Sequence, residues 1–297
     1  TGELEIISIC TPNDLTYKIE NLGNDIAILN NADIINTIKG FFQNSKFPMI
    51  ILGDSILSTE EGENIHSITK KIADSCNVIK EDWNGFNILS PYASRVGGLE
   101  VGFIPTNNGI NAKQMKKKIL EKEIKLLFLI EADDFDIGEI DNEATKIVYL
   151  GHHGDKLASK ADVILPITAF TEKKALYINI EGRPQFTKKI IQNKGLAVDG
   201  WKIFRALADK LGIKLKYNNH QQLLDRIFKL HPEISSINEI VPAKCLKSNK
   251  RIPKIKSLKS SFLVKNYYQS CPITRASINM ANCIKRFSKK DESILNG

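Results

Sequence analysis

Two short apolar runs, Lys146–Leu150 and Ala161–Leu165, do most to restrict what this chain can fold into. Both are rich in the β-branched residues that suit a strand buried on both faces, and both are too short for an ordinary helix. Gly151 closes the first and Pro166 the second. Between them stands Gly151-His152-His153-Gly154-Asp155, followed by too few residues for a long helix. Further on comes Asn179-Ile180-Glu181-Gly182-Arg183, where Gly182 can supply the positive φ of a tight turn.

The same rhythm recurs upstream. Phe47–Gly53 reads as a buried strand with Pro48 at its entry and Gly53 at its exit. From Glu61 onward Ile65, Ile68, Ile72 and Cys76 fall on one stripe of an amphipathic helix, with His66 off the stripe and expected in solvent. The next apolar run, Phe86–Leu89, completes the strand–helix–strand alternation of a parallel sheet. Residues 112–123, with Met115 and Ile119, predict a charged helix leading into a fully buried strand at Leu126–Ile130. Glu131, Asp133 and Asp134 after it read as solvated loop acids, since no basic or His partner stands beside them.

Downstream, Asp199 is placed to cap a helix with Trp201, Phe204, Leu207, Ala208 and Leu211 towards the core and Gly212 at its end. A further helix covers 221–230 and stops before Pro232, and a last one begins with Ser270 as cap and Pro272 in its first turn.

Charge narrows the function. The net +8 is concentrated between Lys244 and Lys265, where eight basic residues meet no acid; the remainder balances at 34 basic and 34 acidic residues. With Pro253 at its centre and no helical period, this segment reads as an extended strap over a protein surface, because Leu246, Ile252, Ile255 and Leu258 do not suit a solvated tail. A nucleic-acid-binding module is the rival reading of the same charge, but no aromatic residues are interleaved to stack on bases.

No run approaches the roughly 18 apolar residues of a spanning helix, so no direct membrane span is expected. The opening TGELEIISIC is no secretory signal and lacks an initiator Met, which reads as a removed leader or a piece of a larger product. Five scattered cysteines without a C-x-x-C predict neither an iron–sulfur cluster nor structural zinc, and a reducing compartment.

Three stretches have the residue types of a ligand site. Gly53-Asp54-Ser55 stands at a strand exit but lacks both glycine-rich nucleotide signatures. His152, His153 and Asp155 are metal-capable, but adjacent histidines converge poorly on one ion. A helix N-terminus after Asp155, near Lys156 and Lys160, would attract an anion such as a phosphate. Glu181 and Arg183 read as an ion pair or turn contacts.

The order GHHGD, ADVILP, TEK (with Glu172) and N-x-EGR resembles the molybdopterin-oxidoreductase-like part of the large iron–sulfur subunit of respiratory complex I. So do Asp14-Leu15-Thr16-Tyr17 with Asn21-Leu22-Gly23, Trp83 with Asn87-Ile88-Leu89 and Ala93-Ser94, and DGWKIFRALADKLG at 199–212. The ending NYYQSCPITRASINMANC carries Tyr268, Ile273, Arg275-Ala276-Ser277, Met280-Ala281 and Cys283 in register, with Cys271 where the family has Asp. Leu157 stands where the family usually has Gly.

The resemblance implies an α/β fold with a doubly wound, mostly parallel sheet over 1–215, a helical extension at 216–243, the basic arm at 244–265 and a docking helix and tail at 266–297. It implies structural roles for Gly151, His152, His153, Gly154, Asp155, Ala161, Asp162, Pro166, Glu172, Asn179, Glu181, Gly182 and Arg183, and docking roles for Tyr268, Arg275 and Ser277. No catalytic, cofactor-binding or metal-binding residue is expected in this chain. Iron–sulfur clusters are expected in a separate, cluster-bearing N-terminal half, and FMN in a neighbouring subunit of the peripheral arm. The implied place is the matrix side of the mitochondrial inner membrane. A fragment of a catalytic molybdopterin-dependent oxidoreductase is the alternative.

Overall fold

The computed structural model describes residues 4–10, 17–43, 45–132, 135, 140, 143–154, 156–242, 254–258 and 267–294. The chain divides into two compact units, one of residues 1–93 with 241–263 and the other of residues 94–240 with 264–297.

In the first unit, β1 (Ile7–Ser8) pairs in parallel with β2 (Glu20–Asn21). α1 (Ala32–Gln43), β3 (Ile50–Gly53), the single-turn α2 (Asp54–Leu57), α3 (Gly62–Ser75) and β4 (Phe86–Leu89) follow, with β3 and β4 parallel. Trp83 fixes the entry of β3, its indole N–H donating to the Pro48 carbonyl at 2.8 Å. The predicted stripe of α3 is what packs: Ile65 and Ile72 are buried with Ile26, Leu29, Ile38 and Phe42.

Two expectations fail here. The run at 47–53 is not buried on both faces, since Phe47, Met49 and Ile51 are exposed and only Pro48 and Leu52 are buried; each of these strands has a single neighbour among the described residues. His66 is half-buried rather than solvated, its ring standing edge-on to Phe86 at 5.7 Å.

Part of the basic arm belongs to this unit. Residues 254–258 run without helix or strand, and Ile255 is buried in the core of the unit with Leu258 packed beside it. Lys254 and Lys256 point to solvent. The rest of the arm, and Asp14-Leu15-Thr16, lie outside the described residues.

The second unit opens with α4 (Arg95–Glu100), a short helix, and α5 (Ala112–Leu120), capped by a reciprocal pair between Asn111 and Gln114. Its centre is the parallel ladder β5 (Leu126–Ile130), β6 (Lys146–Gly151) and β7 (Val163–Pro166), with β6 in the middle. Leu127, Leu129, Ile147 and Tyr149 turn towards Ile119 of α5 and form the core. Leu126, Phe128, Ile130 and Val163 face the other way and are exposed, and Ile164 on the opposite face of β7 is exposed as well, so β5 is one-sided and neither outer strand is buried on both faces as expected. Only β6, flanked on both edges, approaches that pattern.

The hairpin β8 (Leu176–Ile178) and β9 (Pro184–Phe186) is antiparallel. α6 (Gly200–Lys210) ends in paired bonds from Ile213 N–H to Ala208 O and Gly212 N–H to Asp209 O, with Gly212 left-handed as predicted. Its core face is narrower than predicted: Ala208 is buried, whereas Leu207 and Leu211 are exposed. α7 (His220–Leu230) starts on the Asn219 side chain. The final segment is broken into α8 (Pro272–Arg275) and α9 (Ile278–Ile294). The α/β class with parallel pairing is as expected, with the pairing divided among three separate ladders. Among the described residues no helix is long and apolar enough to cross a membrane.

Candidate functional site

The stretch from Lys146 to Arg183 gathers at the carboxyl ends of β6 and β7, where sheets of this class place their ligands. Its geometry is built from short self-contained contacts. Asp162 clips the start of β7 to that of β6: its carboxylate accepts from Lys146 Nζ at 2.9 Å and from the Ile147 N–H at 2.8 Å. The Lys146 ammonium, then the Ile147 N–H, hold this carboxyl below the usual range.

At the other end of β6, Gly151 is required by its neighbour. The Tyr149 ring folds over it so closely that a Cβ there would lie 2.3 Å from the phenol oxygen. That hydroxyl donates to the His153 carbonyl at 3.1 Å and so pins the following loop. His152 and His153 stand edge-to-face with their Nδ1 atoms 2.6 Å apart, one donating and the other accepting. Gly154 borders open space, and Asp155 lies outside the described residues.

The expected helix after Asp155 is only a 3-10 turn at Ala158–Lys160. Leu157 before it is buried in the core with Ala158, and Ala161 is half-buried against them. With too few residues before Asp162 to form a second turn, no N-terminal anion site develops. Pro166 ends β7 opposite Gly151 and accepts through its carbonyl from the Val198 N–H.

The remaining motif residues make turns. Buried Glu172 accepts from the Ala169 N–H at 3.0 Å. Asn179 organises the β8–β9 turn, its Oδ1 accepting from the N–H groups of both Glu181 and Arg183, each at 3.0 Å. Gly182 has φ +83° and donates to the Asn179 carbonyl. Arg183 and Glu181 approach at 3.6 Å, and the Arg183 guanidinium donates to the Asn238 carbonyl at 2.6 Å.

Some contacts were hidden from sequence reasoning. Glu131 is ion-paired with Lys173 at 2.9 Å rather than solvated, because the fold brings in a partner 42 residues away. Its companions Asp133 and Asp134 lie outside the described residues. Asp199 does not cap α6 with its side chain but accepts from the Thr168 hydroxyl at 3.0 Å. The cap of α8 is Cys271, not Ser270, with the Cys271 N–H donating to Thr274 Oγ1 at 3.1 Å. Burial pushes the Cys271 thiol up, but the Thr274 hydroxyl, nearby N–H groups and Arg275 outweigh it and leave the thiol below its ordinary value.

Tyr268 stacks on Phe287 at 5.8 Å, the Arg275 carbonyl accepts from the Gln269 amide, and the Ser277 hydroxyl accepts from the Met280 N–H to start α9. Cys10 is buried, and Cys76, Cys271 and Cys283 are half-buried free thiols.

Among the described residues no three His, Cys, Asp or Glu side chains converge as metal ligands. A small cleft of about 280 Å³ lies at the ends of β3 and β4, lined by Gly53, Asp54, Ser55, Leu89, Ser90 and Pro91. It carries no glycine-rich phosphate cradle.

The molybdopterin oxidoreductase family model matches residues 1–210. The chain belongs to this family. It is 34% identical over 294 residues to an NADH-quinone oxidoreductase subunit of Rickettsia prowazekii. It is 37% identical over 289 residues to the NADH-ubiquinone oxidoreductase 75 kDa subunit of Reclinomonas americana, and 34% over 300 residues to the mitochondrial 78 kDa subunit of Neurospora crassa. These alignments cover 99%, 95% and 95% of this chain but only 41%, 40% and 38% of the relatives. The chain spans about two fifths of their length.

Family membership raises the question of a pterin. The described residues of 151–160 do not fit one: the Tyr149 ring fills the space over Gly151, Leu157 is committed to the core, and the two histidines spend their Nδ1 atoms on each other. The side chains that line a ligand end in an open α/β sheet are here used to close the fold.

Proposed function

We propose that this chain is a non-catalytic scaffold part of the large iron–sulfur subunit of respiratory complex I, in the peripheral arm that carries electrons from NADH to ubiquinone coupled to proton translocation. The observation that carries this reading is the similarity to NADH-quinone oxidoreductase subunits along 95–99% of the chain, joined to a motif region whose polar groups satisfy one another. The chain holds no cofactor. A separate cluster-bearing half supplies the iron–sulfur clusters, and a neighbouring subunit supplies FMN.

Its partners are that half and other peripheral-arm subunits, not nucleic acid. Its place is the matrix side of the mitochondrial inner membrane, attached through the complex; the Neurospora relative, whose name carries the word mitochondrial, supports the organelle.

Native purification through this chain tests the reading. The expected outcome is co-isolation with a cysteine-rich polypeptide and NADH-oxidising activity, with iron on the partners and neither molybdenum nor pterin on this chain. Recovery of this sequence on one continuous polypeptide with the clusters would sink the separate half. Molybdenum or pterin on the chain itself would sink the scaffold role.

A further inference from the structure

The first unit carries a built groove occupied by a segment from far along the chain. Asn30 presents its side-chain amide to one residue of the strap: Nδ2 donates to the Ile255 carbonyl at 2.7 Å, and Oδ1 accepts from the Ile255 N–H at 2.9 Å. Both main-chain groups of that residue are thereby read by a single side chain, as a neighbouring strand would read them. Asp25 grips the next two contacts. Its Oδ1 accepts from the Leu258 N–H at 3.0 Å, and its Oδ2 accepts from the Ser257 hydroxyl. The same carboxylate caps the 3-10 turn Ile26–Asn30 through the Ala27 N–H at 2.8 Å, so its position is set by the turn and not by the strap. The Ile26 N–H closes the set on the Leu258 carbonyl.

Side chains add a second level of selection. Ile255, 3% exposed, enters the core among Ile26, Leu29, Phe42 and Ile65, while Lys254 and Lys256 on either side stay in solvent. Beyond Lys256, Ser257 is exposed and Leu258 half-buried, so the segment turns Ile255 and then Leu258 inward.

We propose that this groove is a peptide-binding site that recognises an extended segment with an aliphatic anchor followed two positions later by a hydroxyl residue and then a second aliphatic. Residues 255–258 are its resident ligand. Main-chain recognition supplies affinity and the Ile255 pocket supplies selectivity, the division of labour of other strand-type peptide sites. Tethering gives the resident segment an effective concentration on the order of millimolar, which keeps competitors out of the intact chain.

The test uses the full-length chain and a fluorescent peptide spanning residues 250–262. The wild-type chain is expected not to take up the peptide. The same chain with Ile255→Asp and Leu258→Asp, which evicts its own strap, is expected to bind it, and to ignore a peptide that itself carries Ile255→Asp. An evicted-strap chain that keeps its helical circular dichroism and takes up no peptide overturns the proposal, as does equal uptake by the wild-type chain.

Should the double variant fail to fold, amide exchange decides with Asn30→Ala. Loss of both bonds to Ile255 is expected to speed exchange of the Ile255 N–H about tenfold or more, with a smaller change at Leu258, which Asp25 holds. Unchanged exchange at Ile255 overturns the proposal.

Discussion

The core of the first unit and that of the second are both built against parallel strands, but they are completed from different distances along the chain. In the second unit, Leu127, Ile147, Tyr149 and Leu157 lie within one continuous stretch, and the contacts that close it, Asp162 to Ile147 and Tyr149 to His153, span 15 and 4 residues. In the first unit, the same task falls to Ile255, held by Asn30 across 225 residues. Local closure tolerates the loss of a single grip, whereas closure by a distant strap depends on a few contacts made against a large loop entropy.

Each unit holds one tryptophan, Trp83 in the first and Trp201 in the second, so single-tryptophan chains report the two separately.

The largest effect is expected from Ile255→Ala, which empties a buried site and costs the first unit about 2–4 kcal/mol. Denaturant unfolding followed at Trp83 should shift by that amount while the Trp201 transition stays in place; equal shifts in both would break the contrast.

Gly151→Ala works in the opposite unit. Its Cβ meets the buried Tyr149 ring, and forcing the two apart costs about 1–3 kcal/mol in the Trp201 transition alone. A neutral result would mean that Tyr149 has room to move. Gly182→Ala is expected to cost about 1 kcal/mol, because φ +83° strains a residue with a Cβ, and the Asn179-centred turn should survive with its register intact. Scrambled β8–β9 pairing in amide-exchange data would contradict this.

The smallest effect is a pH dependence. Asp162 has a depressed carboxyl pKa, so its contribution is present above the unfolded value of roughly 4 and is lost as pH falls through the lower folded value. Asp162→Asn should therefore differ from wild type at pH 7 in the Trp201 transition and match it in strong acid. A gap that persists in acid would assign the role to packing instead of charge.

Much of the local structure was legible from residue patterns. The stripe of Ile65 and Ile72, the turn at Gly182 and the stop at Gly212 follow from period and from backbone freedom, and each is where the pattern puts it. What the patterns hide is anything decided by a neighbour remote in sequence. Leu126 and Phe128 look like residues of a fully buried strand, but burial depends on what covers the second face, and an apolar run does not say. Cys271 displaces Ser270 as cap because Pro272 at the first helical position sets the register, and cysteine is not among the usual capping residues.

In the motif region, the sequence signalled strand ends and turns, and the resemblance identified the family. The motif's reliance on a tyrosine folded over a glycine, and the pairing of Glu131 with Lys173, required the fold. The apolar residues of the basic arm pointed to a protein surface beneath them, but not to which surface or to Asp25 and Asn30 as its readers.

The strap also imposes an order on synthesis. A ribosome that has released residues 1–93 has made most of the first unit, yet the side chain that fills its core is still to come, beyond all of residues 94–240. At about 5–20 residues per second, that interval is on the order of ten seconds or more. During it the nascent unit exposes the apolar pocket awaiting Ile255, while the later-made unit between them has everything it needs for its central ladder. The unit that emerges first therefore waits for its core residue until residues 94–240 have been made, and the second unit is completed in turn only by residues 264–297.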